Sequence, residues 1–204
     1  AHHGDKVYYW FREYYLESGI GLAPYDVAIG YFAQSRLRGR KFLEIGAGMA
    51  QLSALLTLHG LDVTAVERYE EHAVTTRRLQ DWLKSKLPPA SGYRIEVGGF
   101  PESGKGVLGP NTVVVGMSIN NKYPTDRWNK ILDALGGADG LIIDLATFFE
   151  PRRTPEEQAD LVRQLSARGF GEPEEIYAWR AGDGGYKFAD GRVVYLAKRG
   201  HERL

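Results

Sequence analysis

The residues whose types and spacing most directly suggest chemistry are Glu44-Ile45-Gly46-Ala47-Gly48-Met49-Ala50. Glycines there permit positive backbone dihedrals and let a ligand approach the main chain, and the helix that follows offers unpaired N–H groups in its first turn. A dinucleotide-binding turn needs Gly-x-Gly-x-x-Gly or Ala. Counted from Gly46, the sixth position is Gln51, too large for the close helix–strand contact required there. A plain tight turn is the structural alternative. A second candidate is Ser118-Ile119-Asn120-Asn121-Lys122-Tyr123-Pro124. Asn120 and Asn121 both donate and accept, so they either orient an amine or carboxylate or merely shape a turn, while Tyr123 offers a weak general base. The third is an aromatic cluster, Tyr8 to Phe11 with Tyr14 and Tyr15, holding more ring surface than one helix can bury. At least half of it is expected to be packing. Of the five histidines, His2 and His3 read as the scar of a purification tag and His201 lies in the tail. His59 closes a helix, where a cation suits the dipole and a structural role is expected, and His72 is expected to face solvent. No His, Asp and Glu spacing suggests a metal site.

Around these residues the chain alternates strand and helix. Lys41 to Ile45 reads as a strand ending at the glycine turn, and Leu52, Leu55, Leu56 and His59 then recur at helical spacing until Gly60. Asp62 to Val66 is a second strand, followed by a polar helix over Glu70 to Lys86 that Pro88-Pro89 stops. Tyr93 to Val97 is a third strand. Thr112 to Met117 is a fully apolar, β-branched run, the pattern of a central strand covered on both faces. A helix from Thr125 to Leu135 ends at Gly136-Gly137, and Gly140 to Leu145 is the next strand. Thr154-Pro155-Glu156-Glu157 places an N-cap, a proline at the first helical position and acids in the first turn of a helix that ends at Gly169. Glu174 to Trp179 and Arg192 to Lys198 complete the chain as two antiparallel strands joined by a Gly-rich turn.

This alternation predicts an α/β fold, a doubly wound Rossmann-like sheet of seven strands with a C-terminal antiparallel hairpin. The whole of 1–204 is expected to be one domain, with 39–204 as the Rossmann-like core. Residues 1–38 are expected to form an N-terminal helical lid of two helices over the sheet's carboxyl edge, hinged at Gly19, Gly21 and Pro24. A chain of 204 residues is long enough to bury about 70% of its unfolded surface. With 43% hydrophobic and 25% charged residues it is not a disordered chain. Lys plus Arg and Asp plus Glu both number 26, so no global field recruits nucleic acid or anionic lipid, and a small-molecule partner fits better. No apolar run reaches the roughly 20 residues of a membrane span. The absence of cysteine excludes disulfide scaffolds, thiolate zinc sites and Cys nucleophiles, and the expected location is the cytoplasm.

The acid–glycine turn resembles motif I of the class I S-adenosylmethionine-dependent methyltransferases, an acid followed by Gly-x-Gly-x-Gly, here Glu44, Gly46, Gly48 and, as a mild departure, Ala50. The resemblance runs from about Asp26 to Arg199 and includes the terminal hairpin. It implies S-adenosyl-L-methionine as cofactor, with the turn of Glu44, Gly46, Ala47 and Gly48 against its amino-acid moiety. Glu67, with Arg68 beside it, stands where that family has an acid bridging the ribose hydroxyls. A carboxylate suits vicinal hydroxyls because it accepts from both at once. The loop Gly98-Gly99-Phe100-Pro101 then neighbours the adenine, with Phe100 available for stacking and Gly99 alongside, and Met117 and Ser118 lie beneath the sulfonium.

For the reaction, the resemblance implies an electrophilic cofactor whose acceptor must be aligned and kept from water, so a dedicated base is optional. Asn120, Tyr123 and Tyr15 are the expected catalytic residues, and Tyr8, Tyr14 and Asn121 the expected acceptor-binding ones. The loop only loosely matches the Asn-Pro-Pro-Tyr box of amino-group methyltransferases. The leading expectation is methylation of a small molecule. The alternative retains the cofactor but attacks its aminocarboxypropyl carbon, by transfer or by intramolecular cyclisation as in azetidine-2-carboxylate synthases, releasing methylthioadenosine. A non-catalytic binding module and a nicotinamide oxidoreductase rank below these. Neither the acceptor nor the oligomeric state is written in the sequence.

Overall fold

The structure, a computed structural model, describes residues 24–48, 50–70, 72–74, 77–78, 81, 85, 93–117, 125–145, 153–180 and 190–201. The strands are β1 (Lys41–Ile45), β2 (Asp62–Glu67), β3 (Tyr93–Val97), β4 (Thr112–Gly116), β5 (Gly140–Asp144), β6 (Glu174–Trp179) and β7 (Gly191–Ala197). The helices are α1 (Pro24–Arg36), α2 (Gln51–Leu58), α3 (Thr125–Leu135) and α4 (Pro155–Ala167). Residues 70, 72–74, 77–78, 81 and 85 are helical as well, after β2 where the polar helix was expected. The expected strand and helix boundaries move by only a residue or two, the ordinary fraying of element ends.

One seven-stranded sheet runs in the order β3-β2-β1-β4-β5-β7-β6. Its first five strands are parallel, and β7 inserts antiparallel between β5 and β6. The terminal pair is thus the expected hairpin, but its second strand is interior and its first is the edge. Residue character follows that placement. Val193, Val194 and Leu196 of β7 are buried, whereas β6 opens with exposed Glu174 and Glu175, charges that protect an unpaired edge.

The central strands are apolar at successive positions because both faces are covered. Phe42, Val63, Ala65, Val113, Val115 and Ile142 pack on one side with Ile29 and Ala33 of α1 and Leu52 and Leu56 of α2. Leu43, Val66, Val114, Leu141 and Ile143 pack on the other with Ile131 and Leu135 of α3 and Leu161 and Leu165 of α4. Between β3 and β4 the chain crosses without a helix, and Phe100, Val107 and Leu108 of that loop cover the sheet instead.

The expected N-terminal lid is corrected in part. Its described portion, α1, is a core helix, with Ile29 and Ala33 fully buried and Gly30 admitting the His59 ring, so His59 is a packing residue as expected. Tyr25 meets Trp179 at the end of β6, and Arg36 meets Glu174 at its start. Accordingly α1 begins at the carboxyl edge of the sheet and runs away from it. Residues 1–23 lie outside the described residues. Among the described residues no helix is long and apolar enough to cross a membrane.

At the opposite, amino edge the elements are tied by polar contacts. The Asp139 carboxylate accepts from Arg40 at 2.8 Å and from the Asn111 N–H at 2.8 Å, joining the residues that precede β1, β4 and β5. Lys198 donates to the Gly136 and Arg168 carbonyls at 2.5 and 2.6 Å, which satisfies the ends of α3 and α4.

Candidate functional site

Strand order reverses between β1 and β4, and the crevice at the carboxyl ends of such strands is where open α/β sheets take ligands. The glycine turn occupies that point. Gly46 and Gly48 have φ of 66° and 57°, in the left-handed region where a side chain strains the backbone. A Cβ at either would meet nothing within 4 Å, so the space beside both glycines is open. Ala47 donates its N–H to the Val66 carbonyl at 3.0 Å, holding the turn against β2. Ala50 is also left-handed, at φ 55°, so the alanine that departs from the glycine pattern takes up a glycine-like backbone conformation.

Ala50 is the N-cap of α2 and has no side chain able to cap it. Glu44 performs that service from β1. Its Oε2 accepts from the Ser53 N–H at 2.9 Å and from the Ser53 hydroxyl, placing a carboxyl group at the positive end of the helix. Burial pushes the Glu44 carboxyl up to about 8; the Ser53 hydroxyl and N–H pull it down, while Asp26 and Glu67 add to the rise. The acid expected to touch the cofactor is therefore engaged with the helix beneath the turn.

Glu67 is the last residue of β2 and only 4% exposed. Its Oε2 accepts from the Gly48 N–H at 2.6 Å and its Oε1 from the Tyr69 N–H at 2.8 Å. His72 Nδ1 lies 3.5 Å from the same Oε1. This corrects the solvent-facing expectation for His72, whose side chain is 18% exposed and edge-on to the Tyr69 ring. Arg68 is exposed and holds its guanidinium over Tyr69 at 5.6 Å from the ring centroid.

Beyond β3, Gly98 donates to the Glu67 carbonyl at 2.9 Å, bringing the Gly98–Gly99 segment beside the turn. The Phe100 ring is packed into the core with Ile45 and Val66 and is 8% exposed, so its faces serve packing. A guanidinium nitrogen of Arg127, from α3, lies 2.9 Å from where a Gly99 Cβ would be. Met117 is half-buried just past β4, against the cluster that contains Ala47 and Ala50.

Glu44, Gly46, Ala47, Gly48, Glu67, Arg68, Gly99 and Met117 are thus gathered along the carboxyl ends of β1 to β4. Ser118, Asn120, Asn121, Tyr123, Tyr8, Tyr14 and Tyr15 lie outside the described residues. Ser53, Asp26, Tyr69, His72 and Arg127 join the site without having been singled out for it. Ser53 alone had a signal, a hydroxyl at the third position of a helix whose N-cap is alanine. Among the described residues no group of three His, Cys, Asp or Glu is placed to hold a metal ion.

Neither a family model nor a curated protein matches the chain. Solved structures do. Magnesium protoporphyrin IX methyltransferase from Synechocystis PCC 6803, crystallised with bound S-adenosylmethionine, is 18% identical, with a TM-score of 0.63 over 96% of this chain and 91% of that one. A TehB-like S-adenosylmethionine-dependent methyltransferase from Corynebacterium glutamicum ATCC 13032 is 14% identical, with a TM-score of 0.64 over 96% of this chain and 100% of that one. Precorrin-6y C5,15-methyltransferase from Geobacter metallireducens GS-15 is 15% identical, with a TM-score of 0.56 over 84% and 86%. Strand order, the antiparallel seventh strand and the acid–glycine turn at the switch point agree with this likeness, and the chain has the class I S-adenosylmethionine-dependent methyltransferase fold.

Proposed function

We propose that the chain binds S-adenosyl-L-methionine and transfers its methyl group to a small-molecule acceptor. The observation that carries this reading is the pairing of Glu67 with the glycine turn. A buried carboxylate is fixed by two main-chain N–H groups beside two left-handed glycines whose open sides leave room for a ligand. Such a carboxylate keeps lone pairs for two vicinal hydroxyls and spends no reorganisation on reaching them. This acceptor therefore fits the two hydroxyl donors of a ribose, and similar folds crystallised with S-adenosylmethionine or S-adenosylhomocysteine support the choice.

When bound, the cofactor supplies an electrophilic methyl group. The chain's residues supply position. Glu67 holds the ribose, the main chain of Gly46 to Gly48 lies along the amino-acid end, and Gly99 borders the base. Met117, just past β4, is assigned to the side of the reacting centre, with Ser118 next to it in the sequence. Asn120 and Asn121 orient the acceptor, and Tyr123, as a weak general base in its phenolate form, takes the acceptor's proton where one must leave and becomes the phenol. Tyr8, Tyr14 and Tyr15 are assigned to the acceptor side and to excluding water because their aromatic surface exceeds what one helix can bury.

Purified protein incubated with S-adenosylmethionine and pools of small-molecule acceptors is expected to release S-adenosylhomocysteine. Release of methylthioadenosine instead overturns methyl transfer, and tighter binding of a nicotinamide nucleotide overturns the cofactor.

A further inference from the structure

Past β3, the segment Gly98-Gly99-Phe100-Pro101 has no polar side chain of its own. Its Phe100 ring is packed into the core, and the Gly99 carbonyl accepts from the Ser103 N–H at 3.0 Å. Any polar side chain that serves a ligand beside this segment therefore comes from elsewhere in the chain. Arg127 reaches it from the first turn of α3, the helix that follows β4, and its Nη2 lies 2.9 Å from where a Gly99 Cβ would be. Gly99 is not one of the left-handed glycines, so its backbone admits alanine. Among the described residues, the guanidinium is the only group beyond the adjoining residues that such a Cβ would meet within 4 Å. The missing side chain at Gly99 is thus room for Arg127 and not a requirement of the turn. Gly98 donates to the Glu67 carbonyl at 2.9 Å, so this seat adjoins the strand end that carries Glu67.

We infer that Arg127 is a base-recognition residue of the cofactor site: its guanidinium, seated on Gly99, donates a hydrogen bond to a ring nitrogen of the adenine. The inference rests on the cofactor reading above, which puts the base beside Gly99. The chemistry is complementary. The adenine ring nitrogens that do not carry the ribose only accept, whereas a guanidinium only donates. It does so through five N–H groups in a fixed fork, so one can meet the base while others keep their contacts with the protein. The tip of the side chain is what touches Gly99, and N–H groups rather than methylenes therefore border this segment. Arg127 is half-buried, and partial exclusion of water makes a charge-assisted bond to the base count for more than it would on an open surface.

Titration calorimetry with S-adenosylhomocysteine and with its mono-deaza analogues, in which a C–H group replaces N1, N3 or N7 of the base, reads the bond directly. In the wild-type chain one analogue is expected to bind roughly tenfold or more weakly than the parent. Arg127→Met keeps an unbranched side chain but no donor. There the parent is expected to weaken by a similar factor, and the penalty on that analogue to vanish, which a merely structural role for Arg127 would not produce. Gly99→Ala pushes the guanidinium off its seat and is expected to shrink the same penalty while Arg127 is still present. Equal affinity of the wild-type chain for the parent and all its analogues overturns the proposal even if a variant fails to fold. Wild-type affinity for the parent in Arg127→Met, or an undiminished penalty on the analogue in that variant, also overturns it and leaves the cofactor reading intact. No binding of S-adenosylmethionine or S-adenosylhomocysteine by the wild-type chain overturns the cofactor reading itself, and the role of Arg127 with it.

Discussion

Glu67 shows how one carboxylate can be both structural and receptive. Two backbone donors hold it in place, and this preorganisation is what a diol-binding acid needs. Glu67→Ala is expected to weaken S-adenosylmethionine binding by about 1.5–3 kcal/mol, the range of hydrogen bonds to charged groups, read by calorimetry against wild type. An unchanged Kd in a folded variant sinks the ribose assignment. Gly48 makes a different kind of contribution. Its φ of 57° strains any β-branched replacement, and the open space beside it is where the proposal puts the ligand. Gly48→Val is therefore expected to abolish detectable binding while circular dichroism still reports the folded sheet. Retained affinity would make the turn purely structural.

At the scale of the element, α4 and α2 differ in how far their starts were legible. Thr154 and Glu157 form a reciprocal capping box, the Thr154 N–H donating to Glu157 Oε2 at 2.7 Å and the Glu157 N–H to Thr154 Oγ1 at 3.3 Å. Cap, proline and acids all lie within four consecutive residues, so local chemistry announced them. The start of α2 is capped from nine residues away by Glu44 of a neighbouring strand, a contact that exists only once the βα unit has folded. For the same reason the glycine turn and Glu67 could be recognised, each being a local pattern, whereas the approach of Arg127 to Gly99 and of His72 to Glu67 could not. The interior place of β7 was equally hidden, since residue alternation records burial and not which strand lies next to which. Thr154→Ala is expected to cost about 1 kcal/mol of stability in urea denaturation and to leave cofactor affinity unchanged. A shift in Kd would mean that α4 reports to the site.

Across the whole molecule, the two edges of the sheet have separate duties: the carboxyl edge carries the open turn and its acids, and the amino edge carries the ties that hold the parallel strands in place. Asp139 is the centre of those ties. Burial opposes its ionisation, but the Asn111 N–H and the Arg40 guanidinium prevail, with His201 at 3.4 Å assisting, and hold the carboxyl below its usual range. A carboxyl whose pKa is lower in the folded chain than in the unfolded one stabilises the fold above the unfolded value and loses that contribution as pH falls through the folded one. Asp139→Asn is thus expected to lower stability by about 1–3 kcal/mol at pH 7, the scale of hydrogen bonds to a charged group, with the difference from wild type shrinking steadily below about pH 4. Urea denaturation across pH, paired with calorimetry at pH 7, tests both halves of the division. The stability difference should fade in acid while Kd for S-adenosylmethionine stays at the wild-type value. A difference that persists undiminished at the lowest pH at which both proteins fold removes the ionised form of Asp139 as its source. An altered Kd shows that the amino edge is coupled to the site through the strands.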